Sequence, residues 1–287
     1  MYNLPYSSYR NQIFVENGSW KKPDGIVMVQ ILCIGAGGGG GSGGSGDAQY
    51  TGGGAGGSGG VSRILIPAVL LPDTLTIVVG KGGVGTVNSN GAAGGTSSVY
   101  FSTSNGDTTV ITASGGGGGT RGTGGGAGGT AAIIATTTNY RLGPLGIVNT
   151  VAGQAGTAGV LSGSGTNSVI SAATHVLYAA AAGGGRSGGV GLSGGSVVGI
   201  NDIIQTIPGG PNGDSNNRGV NGYTNFSPFY SIGGSGGGAY NTSLAGGGAG
   251  GDGGYGCGGG GGGNGGTVSN NGPGGKGGDG IVIITCW

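Results

Sequence analysis

Charge is scarce in this chain. Lys and Arg number 10 and Asp and Glu 9 among 287 residues, where an ordinary domain has about a quarter of its residues charged. With a formal net charge of +1 there is no basic stripe to follow a phosphate backbone, which argues against nucleic acid as a partner. The strong net charge that marks disordered chains is missing as well. Cysteine is limited to Cys33, Cys257 and Cys286; an odd count without a C-x-x-C pair indicates neither a disulfide framework nor a zinc site. A Cys33–Cys286 bridge would require the first and last strands to be neighbours. Proline, at nine residues, is far below what collagen needs. His175 is the one histidine, and its AATHVLYAAAA surroundings hold no carboxylate, so a Ser–His–acid set would need a distant partner. The longest apolar stretch, Ile26–Ile34, is interrupted by Gln30 and too short to cross a bilayer. The opening MYNLPYSSYRNQ lacks the apolar core of a signal peptide. Neither export by that route nor membrane insertion is expected.

What the chain has is glycine, 85 residues of it, several times the usual share. Glycine gives a core no side chains and loses the most backbone entropy on ordering. Each one inside an α-helix costs about 1 kcal/mol relative to Ala, so a helical domain is excluded. The glycines are not scattered. Residues 53–61 read GGA-GGS-GGV, 247–255 read GGA-GGD-GGY, 274–279 read GGK-GGD and 125–130 read GGA-GGT. A triplet period matches three residues per turn, the geometry of the polyproline II helix, which rises about 3.1 Å per residue and makes no internal hydrogen bonds. Such helices must pair their backbone groups with neighbours when buried. Gly-Gly supplies two bare faces for close approach, and the third residue points outward along one edge.

Ordinary β sequence frames these runs. IVMVQILCI places Val27, Val29, Ile31 and Cys33 on one face. VSRILIPAVL and DTLTIVVG read as a strand pair turning at Pro67 and Pro72. SSVYFS and TTVITAS read as a hairpin through Asn105–Gly106, and GIVIITCW closes the chain as a last strand. The expected fold class is therefore mainly β and irregular with almost no α-helix, a small β-strand framework plus a packed bundle of polyglycine II helices. Residues 1–12 form an N-terminal arm and 13–287 the glycine-rich domain, with strands mainly within 13–114 and 280–287 and the glycine runs and inserts over 115–279.

Motifs with a chemical look do not carry chemistry here. GAGGGG at 35–40 fits the dinucleotide pattern but is followed by GSGGSGD, which cannot form the helix that should receive a pyrophosphate. GKGGVGT at 80–86 has Lys81 but lacks the lysine that should precede Thr86. The carboxylates are single, and Asp47, Asp252 and Asp279 do not make a calcium-binding nonapeptide repeat. No catalytic residue, cofactor or metal ligand is indicated. Binding is expected from the Gly-poor inserts 136–150, 167–182 and 200–232, as loops held on a rigid scaffold. The candidate contacts are Tyr140, Arg141, Arg218, Tyr223, Phe226, Phe229 and Tyr230, because aromatics and Arg are the usual interface anchors. The bland alternative is that the aromatics pack on each other as a satellite core.

The order of segments carries a resemblance. Phe14, Gly18, Trp20 and Pro23 are followed by VMVQILCIGAGGGG, then VSRILIPAVLLPDTLTIVVGKGG, then GGTSS at 94–98, and finally GGDGIVIITCW. This order resembles the glycine-rich domain found in bacteriophage tail-fibre and other virion proteins. The resemblance implies a non-enzymatic virion component, a tail fibre or spike on the exposed surface of the particle. Its partners would be other virion and tail proteins and a host cell-surface receptor, either an outer-membrane protein or a glycan, with a homotrimer as one arrangement. The alternatives are a purely structural fibre or decoration protein without a receptor and, more remotely, an ice-binding or extracellular-matrix glycine-rich protein.

Overall fold

The computed structural model describes residues 10–46, 49–104, 106–122, 131–132, 147–161, 163–170, 177–178, 180–184, 186–187, 190–199, 204–212, 217–240, 246–265 and 270–287. In chain order the first strands are β1 (Arg10–Phe14), β2 (Gly18–Lys21), β3 (Met28–Ile34), β4 (Gly44–Gly46), β5 (Gln49–Thr51), β6 (Val61–Pro67), β7 (Thr74–Val78), β8 (Ser97–Thr103), β9 (Gly106–Ala113), β10 (Ala131–Ala132) and β11 (Ile147–Val151). The later ones are short: β12 (Ser168–Val169), β13 (Leu177–Tyr178), β14 (Arg186–Ser187), β15 (Val190–Gly191), β16 (Val197–Val198), β17 (Thr224–Phe226) and β18 (Phe229–Ile232), before the closing β19 (Ile281–Cys286). A 3₁₀ turn forms at Ala68–Leu70. The protein is mainly β, and none of its described helices is long and apolar enough to cross a membrane.

Two antiparallel five-stranded sheets face each other. One has the order β1-β19-β3-β6-β11 and the other β10-β9-β8-β7-β2. Alternation puts one face of each strand inward, and the two inner faces meet in a core that includes Phe14, Trp20, Val29, Ile31, Cys33, Ile64, Ile66, Leu75, Ile77, Val99, Phe101, Ile111, Val282 and Ile284. Val29, Ile31 and Cys33 lie on the buried face as their spacing predicts, but Val27 precedes the strand and is exposed. The expected hairpin forms as β8 and β9, with Gly106 at φ +110°. The expected pairing of VSRILIPAVL with DTLTIVVG does not. β6 bonds to β3 and β11, whereas β7 bonds to β2 and β8. The Ala68–Leu70 turn carries the chain across the core from one sheet to the other, so Pro67 and Pro72 flank a crossover. Cys33 and Cys286 do sit on adjacent strands, but the register sets Cys33 opposite Val282 and Cys286 opposite Val29. Four residues at about 3.4 Å each separate them, which is beyond disulfide reach, and none of the three cysteines is in a disulfide.

The glycine runs leave the strand ends and stack beside this sandwich. Their hydrogen bonds rotate through neighbours with a period of three. In the run following β3, the N–H groups of Gly35, Gly38 and Gly41 donate to the carbonyls of Gly60, Gly57 and Gly54; those of Ala36, Gly39 and Ser42 donate to Gly95, Ala92 and Ser89; those of Gly37, Gly40 and Gly43 donate to Gly278, Gly275 and Gly272. The run 52–60 repeats the pattern towards 154–160, 256–262 and 114–120. A rotation of period three is the bonding that an extended helix of three residues per turn must make when neighbours surround it.

The run 257–265 lies innermost. Gly259 and Gly262 donate to Gly38 and Gly41, Gly260 and Gly263 to Gly251 and Gly248, and Gly261 and Asn264 to Ala181 and Gly184. The same residues accept from Gly53 and Gly56, from Gly275 and Gly272, and from Gly237 and Tyr240. Every N–H and C=O from Gly259 to Asn264 is thus paired, against six surrounding runs. Side chains are excluded by this approach: a Cβ built on Gly37 would fall onto the carbonyl of Cys257, and one on Gly261 onto that of Gly53. At the edge the glycines thin out to one face. In 152–160 only Gly153, Gly156 and Gly159 remain, while Ala152, Ala155 and Ala158 are exposed.

Candidate functional site

The bonding pattern also fixes direction. The ends of the runs at residues 35, 60, 80, 114, 256 and 280 adjoin the sandwich, and the ends at 44, 52, 120 and 265 lie far from it. The hairpin β17–β18 belongs to the near end. Its register pairs Thr224 with Ser231 and Phe226 with Phe229. Phe229 packs against the cluster of Ile34, Val61, Leu177, Cys257 and Ile281, and Tyr230 against Ile170, Ala181, Val197, Ile204, Ile207 and Ile232. These two aromatics anchor the hairpin on aliphatic clusters. Phe226 shares the face of Phe229, and Tyr223 that of Tyr230, with ring centroids 6.0 Å apart in each pair; Tyr223 and Phe226 are the outer members, 38% and 45% exposed.

Two triplet runs face this hairpin. Gly250, Gly253 and Gly256 donate to the carbonyls of Pro273, Lys276 and Asp279. That fixes GGA-GGD-GGY and GGK-GGD as parallel neighbours in register. Their third residues therefore align along one edge: Asp252 and Tyr255 on one run, Lys276 and Asp279 on the other. Asp252 Oδ1 accepts the Lys276 backbone N–H at 2.7 Å. The Tyr255 backbone N–H donates to Thr224 Oγ1 at 2.9 Å, and Thr224 and Ser231 join through their hydroxyls at 2.7 Å. The Phe226 ring meets Tyr255 at 6.2 Å between centroids, inclined by 61°, and Phe229 at 6.0 Å. Between hairpin and stripe lies an open cleft of about 420 Å³, lined by Tyr223, Phe226, Asp252, Tyr255, Lys276, Asp279 and the glycine backbones between them.

Asp279 is the electrostatic pivot. Its carboxylate takes the Lys81 ammonium at 3.1 Å, the Lys276 ammonium at 3.5 Å and the Gly82 N–H at 2.8 Å. Partial desolvation pushes the carboxyl up, but the Gly82 N–H and the two ammonium groups outweigh it and hold it below its ordinary value. Lys81, once a candidate for a phosphate loop, is thus committed to a carboxylate 198 residues away. The Tyr223 phenol is raised above its ordinary value, first by desolvation and then by the Tyr230 hydroxyl beside it, so it stays neutral and able to donate. No group of three or more His, Cys, Asp or Glu that could hold a metal occurs among the described residues.

The sequence-derived candidates fare unequally. Tyr140 and Arg141 lie outside the described residues, as do His175, Asp47, Asp202 and Asp214. Arg218 is exposed but stands at the far end of the bundle, next to the Asn217 carbonyl that accepts the Gly238 N–H. At about 3.1 Å per residue it is some 15 Å from Tyr223. The insert 200–232 is therefore not one loop: residues 217–222 form a run of the bundle that leads into the hairpin. Asp252, Tyr255, Lys276 and Asp279 were absent from the candidate set. Their signal was the triplet position itself, since third residues of two triplet runs fall on one edge once the runs are neighbours.

The model of the glycine-rich domain family matches residues 14–287, and the chain belongs to that family. No curated protein matches it.

Proposed function

We propose that the protein is a non-catalytic display protein, a virion component of the tail-fibre or spike type that uses exposed side chains for adhesion to a host surface. The observation that carries this reading is the period-three bonding of the runs. It produces a body whose interior is peptide groups, held by hydrogen bonds on every side. A scaffold of this kind is stiff, so a hairpin seated on it loses little further freedom on binding, which is how preorganisation improves affinity. Tyr223 and Phe226 project from that hairpin while Phe229 and Tyr230 hold it down. The order of the glycine-rich segments supports the virion assignment, and the host receptor and the neighbouring virion proteins are the partners it requires.

The test is adsorption. Particles carrying Tyr223→Ser with Phe226→Ser should lose host adsorption by at least about tenfold while assembling normally, since both side chains are exposed and loss of one good anchor costs about 2 kcal/mol or more. Unchanged adsorption with the chain located at the particle surface would overturn the adhesion reading in favour of a purely structural fibre or decoration protein.

A further inference from the structure

The cleft between the β17–β18 hairpin and the paired triplet runs is lined by side chains that keep hydrogen-bonding capacity beyond what the bundle uses. The glycine N–H groups there are already paired: Gly253 donates to Lys276, Gly254 to Ile232, Gly277 to Gly83 and Gly278 to Cys257. The third residues of the triplets are Asp252, Tyr255, Lys276 and Asp279, gathered on one edge with Phe226 beside them. Asp252 takes the Lys276 N–H through one oxygen, and Asp279 takes the Gly82 N–H. We infer that this cleft is a binding subsite for a neutral saccharide, one or two rings long. The inference deepens the display reading and rests on it, by naming the class of surface group that is bound.

Three features select that class. The first is the pairing of an exposed aromatic face with hydrogen-bonding groups beside it. The C–H face of a sugar ring is weakly positive and apolar and packs on the negative face of an aromatic ring, and Phe226 is 45% exposed. The second is the polar pair. Asp252 is fixed through one carboxylate oxygen by the Lys276 N–H at 2.7 Å, which leaves its second oxygen to accept. The Lys276 ammonium is bound to Asp279 on one side only, at 3.5 Å, and its side chain is 54% exposed, which leaves donors free. The cleft thus offers both an acceptor and a donor along one edge, the pair of functions that sugar hydroxyls engage. The third is size: about 420 Å³ is near the lower end of the roughly 300–1,000 Å³ of ligand clefts, room for a short saccharide and not for a folded partner.

Rival ligands fit less well. A phosphate or other anion would meet Asp252 and Asp279, and both nearby ammonium groups already engage the Asp279 carboxylate. A quaternary ammonium group needs rings standing apart as a cage around it. Here Phe226 and Tyr255 touch at 6.2 Å between centroids, inclined by 61°, which makes a closed corner. An apolar ligand would cover the charged side chains and leave them unpaired.

The experiment is saturation-transfer NMR on the full chain with maltose, lactose and chitobiose as neutral probes, and with choline and inorganic phosphate as rivals. Transfer to the ring protons of at least one disaccharide is expected, with none to choline or phosphate. Phe226→Ala and Asp252→Asn should each weaken that binding by about tenfold, roughly the worth of one contact to a charged group. Both residues are exposed, so circular dichroism and Tm should stay at the wild-type values, and Asp252→Asn keeps an oxygen for the Lys276 N–H. Absence of transfer from all three sugars, preferential binding of choline or phosphate, or sugar binding indifferent to both substitutions would overturn the inference. Particle adsorption separates the two readings. Hairpin-dependent adsorption without sugar binding overturns the glycan subsite and leaves adhesion standing. Sugar binding lost in Asp252→Asn with adsorption unchanged overturns adhesion through this site and leaves the subsite standing.

Discussion

Replacing Gly260 by Ala places a methyl group at the centre of the bundle. The new Cβ would fall onto the carbonyl of Ser235 and lie 3.0 Å from the oxygen of Gly234. Both belong to the run 232–240, which is bonded to the innermost run at Gly234 to Gly258, 3.1 Å, and Gly237 to Gly261, 2.9 Å. That run must retreat. Overpacking of a filled interior costs about 1–3 kcal/mol, and each buried polar group stretched out of its bond adds about 1–3 kcal/mol. The expected loss is about 3–6 kcal/mol, a large part of the roughly 5–15 kcal/mol that holds an ordinary domain. At roughly 2 °C per kcal/mol for a chain of this size, Tm falls by about 6–12 °C. The control is Gly163→Ala. There the nearest atom to the added Cβ is Val160 Cγ2 at 3.6 Å, an ordinary contact, and the smaller entropy of the unfolded chain offers a gain of about 0.4–1 kcal/mol. Both variants are measured by thermal and denaturant unfolding, followed by circular dichroism and by the fluorescence of the buried Trp20. If Gly260→Ala loses less than about 1 kcal/mol, the close-packed backbone interior is refuted.

Three further outcomes follow from the same geometry. Ile31→Ala, at a fully buried position between the two sheets, should cost about 2–5 kcal/mol by denaturant unfolding. Because the Asp279 carboxyl is held below its ordinary value in the folded protein, its contribution is present above the unfolded pKa and lost as pH falls through the lower folded one; Asp279→Asn should therefore flatten the acid limb of the stability curve below about pH 4 and change neutral stability by only about 0–1 kcal/mol, as partly exposed pairs do. Burial pushes the Cys33 thiol up to about 12, so iodoacetamide at pH 8 should leave Cys33 unmodified in the folded protein and label it after unfolding, as read by peptide mass spectrometry.

Several features were legible in the residues. The alternation of Val29, Ile31 and Cys33 gave a strand with one buried face, and Asn105–Gly106 gave a hairpin. The triplet spacing anticipated runs that bond only to neighbours; third residues lie at an edge in 250–255 and 274–279, but Ala55 and Ser58 of GGA-GGS-GGV are fully buried because neighbouring runs cover that edge too. One signal went unread: two of the stretches freest of side chains, 37–41 and 258–263, are fully enclosed, because only backbone without Cβ atoms can accept neighbours on all sides. Strand partners were harder. VSRILIP and TLTIV are close in sequence and each amphipathic, which suits a hairpin and a crossover equally. The crossover prevails because each strand completes a different five-stranded sheet around one core.

The sequence by itself determined that the interior would be built of backbone and that strands would frame it. Composition and period are local properties, and hydrogen-bond demand follows from them directly. Only the tertiary structure decided which run lies beside which. A glycine run has no side chains to distinguish one neighbour from another, so the choice is made by the strands that feed each run and by the directions in which they leave the sandwich. The candidate site depends on that choice. Asp252 and Tyr255 meet Lys276 and Asp279 because two triplet runs are parallel and in register, and Phe226 meets Tyr255 because Phe229 and Tyr230 anchor the hairpin at the near end of the bundle.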